Sequence, residues 1–233
     1  MEPVRLTKGQ LHEHVWNMIS DNADGLWCLG NKDLLNRKGL SFCGSRKPSE
    51  QGILAARQCT RQAVELGLVC ISGNAAGVDL CVHHAALERG GDSIFVIPEG
   101  IENFRIRRDL REVWDWDRCL VVSQFQPKAR WQIWRAMTRN KLIIGLGLAM
   151  IVIEAGETGG TQEAANQTMK MGKPLFAVQY EKNPIGNQAI IDRGAKRLKR
   201  DKNTKRPNIE AVLGIAENFE PHIKKGQMDL PLV

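Results

Sequence analysis

Phe42-Cys43-Gly44-Ser45-Arg46 and Cys70-Ile71-Ser72-Gly73-Asn74-Ala75-Ala76-Gly77-Val78-Asp79 follow one local plan. In each, an apolar run enters a turn of small residues, and a helical pattern opens from the turn. Glycines in such turns let backbone approach a ligand, and the free N–H groups at a helix start attract phosphate. Arg46 adds a permanently charged donor that can grip phosphate with two bonds. The two units predict a phosphorylated ligand, either a nucleotide or a nucleic-acid strand.

Outward from these turns the pattern keeps alternating. Strand-like apolar runs lie at 40–43, 68–72, 93–97, 119–123, 150–154 and 174–178, with helical patterns at 50–66, 78–88, 104–113, 131–144 and 161–171. Ser49 is placed to cap the first of these helices, and Gly67 to end it. Short continuous apolar runs are strands buried on both faces, and their alternation with helices gives right-handed βαβ units. The predicted class is α/β: a doubly wound, mostly parallel, Rossmann-like sheet. Ligands of such sheets bind beyond the carboxyl ends of the strands, where 44–46, 72–77, 98–100 and 154–161 all fall.

A chain of 233 residues suits one substantial domain with terminal additions, and 42% hydrophobic and 25% charged residues are ordinary for a globular protein. The net charge of +7 favours an acidic partner, nucleic acid above all. Six cysteines show no CxxC pairing and mostly sit in apolar stretches, as small buried thiols do in a reducing cytoplasm. The longest apolar run, 142–153, is too short to span a bilayer, so no membrane partner is expected. Residues 1–24 read as a helical extension, 25–198 as the main body, and 199–233 as a basic tail with a short helix at 209–215 and a frayed end. Lys196, Arg197, Lys199, Arg200, Lys202, Lys205 and Arg206 read as a solvated mobile segment or as a backbone contact to nucleic acid.

Four constellations could carry chemistry. Asp79 and His83 share a helix face, as an acid–base pair or half a metal site would. The simpler reading is that Asp79 caps the helix and His83 completes a local network, since no third ligand or nucleophile lies nearby. Arg139-Asn140-Lys141 places two cations and an amide to hold phosphate and a base. Gly159, Gly160 and Thr161 form a third candidate cradle at a helix start, with Glu163 one turn inside as a possible acid or base. Trp114, Trp116, Trp131 and Trp134 lie among Arg118, Lys128, Arg130 and Arg135, which suits either base stacking or core packing.

In chain order these motifs resemble the DNA-processing protein A (DprA/Smf) family, from about Gly25 to Leu198. Leu26-Trp27-Cys28-Leu29-Gly30-Asn31 is similar to its lead-in, Gly44-Ser45-Arg46 to its GSR, and residues 72–79 with His83, Ala86 and Leu87 to its SGlAxGiDxxAHxxAL. Arg139-Asn140-Lys141-Leu142-Ile143-Ile144-Gly145-Leu146 resembles RNRiIagLs, and Gly186-Asn187 with Ile191, Gly194 and Ala195 resembles the closing GxNxLIxxGA. The chain departs from the family where Ala136-Met137 replaces Phe-Pro, where Phe104-Arg105 stands near a missing Tyr-Pro, and in 158–164. The resemblance implies an extended Rossmann fold that binds single-stranded DNA without sequence preference. Arg46, Arg139 and Lys141 would line the pocket, with Asp79 and His83 as structural support. It also implies a homodimer that assists a strand-exchange recombinase, with no catalysis, cofactor or metal required.

A second reading comes from Thr158-Gly159-Gly160-Thr161-Gln162-Glu163, partly similar to the PGGxGTxxE segment of the cytokinin-activating phosphoribohydrolases. In that reading Glu163 acts at a ribose and Arg139 holds a monophosphate.

Overall fold

The continuous apolar runs become strands with no exposed side chain. In the computed structural model, which describes residues 1–19, 23–201 and 206–219, β4 (Val69–Ser72), β5 (Ser93–Val96) and β6 (Cys119–Ser123) are buried at every position. Burial on both faces requires helices above and below, as in a parallel sheet. The remaining strands are β1 (Val4–Leu6), β2 (Leu26–Gly30), β3 (Gly39–Cys43), β7 (Met150–Val152), β8 (Leu175–Val178) and β9 (Lys196–Leu198). They form one sheet in the order β1-β2-β6-β5-β4-β3-β7-β8-β9. All pairs from β6 to β9 along that order are parallel, and β2 alone runs against its neighbours.

Helices cover both faces. One core layer joins Ile71, Ile94, Leu120 and Met150 to Leu142 and Ile143 of α4 (Ile133–Leu146), and to Val15 of the one-turn α1 (Glu13–Trp16). Ala165 of α5 (Gly160–Lys170) and Ile190 of α6 (Ile185–Asp192) lie in the same layer. The opposite layer packs Leu40, Phe42 and Ile151 against α2 (Glu50–Glu65), α3 (Val78–Leu87) and α7 (Ile209–Glu217). Strand periodicity explains the division: Met150 and Val152 face one layer and Ile151 the other. Ser49 caps α2 by accepting the Gly52 N–H at 3.1 Å, and Gly67 follows the helix at φ +71°.

Three expectations change. The segment 104–113 is no helix; two three-residue 3₁₀ turns, Ile101–Asn103 and Arg108–Leu110, flank extended chain. Phe104 and Ile106 alternate with Arg105 and Arg107, a two-residue period that sends rings and aliphatics inward and cations outward. The described residues of 1–24 hold a three-residue 3₁₀ turn (Lys8–Gln10) and the one-turn α1 rather than a wholly helical extension, and Val4–Leu6 pairs with β2. The cation run is not wholly a mobile segment: Lys196 and Arg197 stand on β9, while Lys202 and Lys205 lie outside the described residues. The 209–215 helix is found as α7, and its Ile209 and Val212 are core residues. The frayed end predicted for the chain lies outside the described residues. Among the described residues no helix is long and apolar enough to cross a membrane.

Candidate functional site

The strand order reverses between β3 and β7, so the crossovers leaving them go to opposite faces and open a crevice at their carboxyl ends. A cleft of about 320 Å³ occupies this crevice. The turn after β3 contributes Gly44, Ser45 and Arg46; α4 contributes Arg139 and Asn140; the start of α5 contributes Thr161. The two opening turns, the Arg139 segment and the glycine turn therefore share one site, although they are far apart in sequence.

Most of the glycines there face protein rather than a ligand. Gly77 has φ +81°, and a Cβ on it would come within 2.6 Å of the Arg46 carbonyl oxygen. Its neighbour Val78 donates its N–H to the Ser45 carbonyl at 3.0 Å, locking the second turn onto the first. A Cβ on Gly44 would lie 2.6 Å from Val78 Cγ2. The Ser45 N–H is taken by the Glu154 carbonyl at 2.7 Å. Only the third turn is open: nothing lies within 4 Å of a Cβ built on Gly159 or Gly160. Those residues start α5, whose first N–H groups have no partner within the helix.

Arg139 is the unusual group of the cleft. It is only 8% exposed, and its Nε has no hydrogen-bond partner. No ion pair among the described residues involves it. Burial draws its pKa down, while the Asp79 and Glu99 carboxylates hold it up and Arg46 repels it. Asp79 lies on the other side of Gly73: a Cβ there would sit 2.5 Å from Asp79 Oδ2 and well inside contact with both terminal nitrogens of Arg139. Burial pushes the Asp79 pKa up, against the pull of Arg139 and of bonds from the Ala75 N–H (3.1 Å) and Ser72 Oγ (3.0 Å). Arg139 is thus the buried cation of the site, near two carboxylates but in no ion pair among the described residues, with the exposed Arg46 beside it.

The supporting residues behave as structure. Ser72 is fully buried, and its Oγ also lies 2.8 Å from the Phe42 carbonyl, so it braces the two turns and does not line the cleft. His83 Nε2 lies 2.6 Å from the Gly73 carbonyl and Nδ1 2.7 Å from Ser93 Oγ, with the ring stacked on Phe95. Burial depresses its pKa to about 3, so the imidazole is neutral and its Nε2–H donates to Gly73. Asp79 braces the turn through Ala75 rather than capping α3, whose N-cap is Gly77. Cys43 lines the cleft, but burial and Asp79 raise its thiol pKa, leaving it protonated rather than nucleophilic. Among the described residues no three metal-ligating side chains converge.

Gly73, Gly77 and Gly159 also fall outside the cleft lining, as do three more predicted residues. Lys141 is exposed and outside the cleft lining. The Asn74 carbonyl accepts from Arg107 Nε (3.2 Å) and Nη2 (2.9 Å). Glu163 does not line the cleft; its carboxylate accepts from Gln167 at 3.3 Å. Its neighbour Gln162 is buried and donates to the Gly156 (2.7 Å) and Gly186 (3.1 Å) carbonyls, pinning the turn. Sequence reasoning missed Arg107, which the alternation of apolar and cationic residues in 104–107 could have shown, and the apolar wall of Ala136 and Met137.

The family model for DNA recombination-mediator protein A matches residues 10–206. A DNA processing protein DprA of Streptococcus pneumoniae is 34% identical over 166 residues, covering 70% of this chain and 58% of that protein. The X-ray structure of DNA processing protein A from Streptococcus pneumoniae superposes with TM-score 0.75 at 27% identity, covering 95% of this chain and 75% of that one. A Helicobacter pylori DNA processing protein A, whose structure describes a single-stranded DNA binding mode, superposes with TM-score 0.75 at 21% identity, covering 92% and 97%. The chain spans about three fifths of the length of the first curated relatives it matches.

Proposed function

We propose that this chain, which belongs to the DNA recombination-mediator protein A family, binds single-stranded DNA through its phosphate backbone, without sequence preference. The observation that carries the reading is Arg139: a buried guanidinium with an unpartnered Nε, lining an open cleft beside Arg46. Arg46 and Arg139 take one phosphate between them, which relieves their mutual repulsion. Asn140 bonds the sugar or a base edge, and the free N–H groups of Gly160 and Thr161 take a neighbouring phosphate. Gly44 and Ser45 form part of the wall, Gly73 and Gly77 leave room behind it for packed protein atoms, Asn74 ties the second turn to Arg107, Gly159 admits the strand, and Lys141 adds charge from outside the cleft. A cleft open to solvent suits a polymer that enters and leaves along the sheet edge.

The relatives extend the proposal. The Helicobacter pylori protein is described by its single-stranded DNA binding, and the family is one of recombination mediators. We assign residues 25–198 as the binding body, working as a homodimer in the cytoplasm and handing its strand to a recombinase. No distance or contact favours the phosphoribohydrolase reading, because Glu163 stands off the cleft.

The test is a binding assay with single strand, duplex and nucleoside monophosphate, each at two salt concentrations. Binding of single strand in preference to the others, weakening steeply with salt, is the expected result. Equal affinity for duplex, or free base released from a monophosphate, would overturn it.

A further inference from the structure

The four clustered tryptophans part company in the structure. Trp114 packs on Phe95 and Phe104 and Trp116 packs on Trp114, both half-buried against the core. Trp131 and Trp134 stay 50% and 55% exposed, and Ile133 between them is 71% exposed. Large apolar side chains clustered on a surface mark a contact site. This ledge forms the entry to α4, and one turn further on Ala136, Met137, Arg139 and Asn140 line the cleft. With about 1.5 Å of rise per residue, Trp134 stands about 7.5 Å along the helix from Arg139.

Along the chain, the charge beside the ledge has one sign. Between Asp117 and Glu154 there is no acidic residue, while Lys128, Arg130, Arg135, Arg139 and Lys141 lie in that stretch and form no ion pair among the described residues; Arg118, at its start, is paired with Asp92 and Asp115. Arg135 stands 5.0 Å over the Trp134 ring and 5.5 Å from the Phe125 ring, and donates to the Arg130 carbonyl. Phe125 meets Trp134 edge-on at 5.9 Å. Arg135 and Phe125 thereby brace the Trp134 indole, with more than half of the residue open to solvent. A ring held in place beside cations, next to a phosphate site, has the composition of a base-stacking platform.

We infer that Trp131 and Trp134 stack bases of the strand whose phosphates the cleft holds, so that binding depends on the bases and not on the backbone alone. The inference rests on the single-strand reading above. Flat apolar ring faces beside unopposed cations fit a nucleobase with its phosphate better than an apolar protein surface, which would leave the cations unpaired.

The test compares a labelled deoxythymidine oligomer with an abasic oligomer of equal length, which keeps the phosphates and lacks the bases. The intact chain should favour the thymidine strand by about tenfold or more. Trp131→Ala with Trp134→Ala should lower thymidine affinity to the abasic level and leave abasic binding unchanged. Trp134→Phe should keep most of the preference, and Arg46→Ala should weaken both probes. Unchanged thymidine binding in the double variant overturns the inference, as does an equal loss for both probes. A shift from dimer to monomer in the double variant also overturns it, by making the ledge an interface between copies. Failure of the intact chain to bind either probe would instead overturn the single-strand reading itself.

Discussion

Replacing Arg139 by methionine separates a binding arginine from a structural one. Methionine keeps much of the length and apolar stem but removes a guanidinium that is 8% exposed, has an unpartnered Nε and makes no ion pair among the described residues. Leaving a buried polar group unsatisfied costs about 1–3 kcal/mol, and the substitution removes that cost. Asp79 loses a through-space attraction but keeps its bonds from Ser72 and Ala75. The two changes oppose each other, so the melting temperature of Arg139→Met should stay within a few degrees of the parent's. An arginine whose removal broke a buried ion pair would behave differently, at about 3–5 kcal/mol, or roughly 6–20 °C for a chain of this size. Binding should respond the other way. A charge-assisted bond to phosphate is worth about 1.5–3 kcal/mol, so affinity for a deoxythymidine oligomer should fall about 10- to 100-fold. Calorimetric melting and fluorescence anisotropy on the same sample read both. A drop of about 10 °C with unchanged affinity would refute the reasoning.

Three further outcomes follow from the same site. Gly73→Ala puts a Cβ 2.5 Å from Asp79 Oδ2 and against the Arg139 guanidinium, with no unusual backbone angle involved. It should cost about 1–3 kcal/mol by overpacking and weaken strand binding, read by urea unfolding and anisotropy. Folding carries the pKa of His83 from 6.5 down to about 3, so below pH 6.5 the unfolded chain binds the extra proton. Stability from this group is complete above pH 6.5 and declines by up to about 1.4 kcal/mol per pH unit as the pH falls toward 3. A histidine resonance that titrates normally near pH 6.5 at this position would contradict the neutral buried ring. Asp79 has the opposite sign: its folded pKa is raised, so the folded form holds its proton more tightly and the carboxylate lowers stability as pH rises above 3.8. Asp79→Asn should therefore gain stability relative to the parent as pH increases, and a relative loss in unfolding midpoints at pH 8 would refute that.

The sheet was legible where residues were buried on both faces, because continuous apolar runs leave little choice but a central parallel strand. Val4–Leu6 and Lys196–Leu198 were not, since edge strands of three residues carry exposed polar side chains and no apolar run. The order in which distant turns meet depends on the strand order, and it brought Arg46, Arg139 and Thr161 into one cleft. Lys141 shows the limit of a motif read as a string. Residues two apart on a helix point in different directions, so Arg139 turns into the cleft and Lys141 away from it. Glycine is ambiguous for a related reason. Sequence shows that a Cβ is missing, but only coordinates show that Gly44, Gly73 and Gly77 make room for protein atoms, while Gly159 and Gly160 leave space open. Tryptophan is ambiguous in the same way, and tertiary packing sent one pair inward and the other to the rim.

The claim that this cleft holds a strand by its phosphates is tested most directly by the salt dependence of oligomer binding, measured on the intact chain and on Arg46→Ala with Arg139→Met. Removing one phosphate-binding cation should flatten the slope of log affinity against log salt by about 0.7. The account predicts weaker binding in the double variant and a slope flatter by about 0.7–1.4. An intact chain that does not bind the oligomer, or a double variant that keeps the parent's affinity and slope, would contradict it.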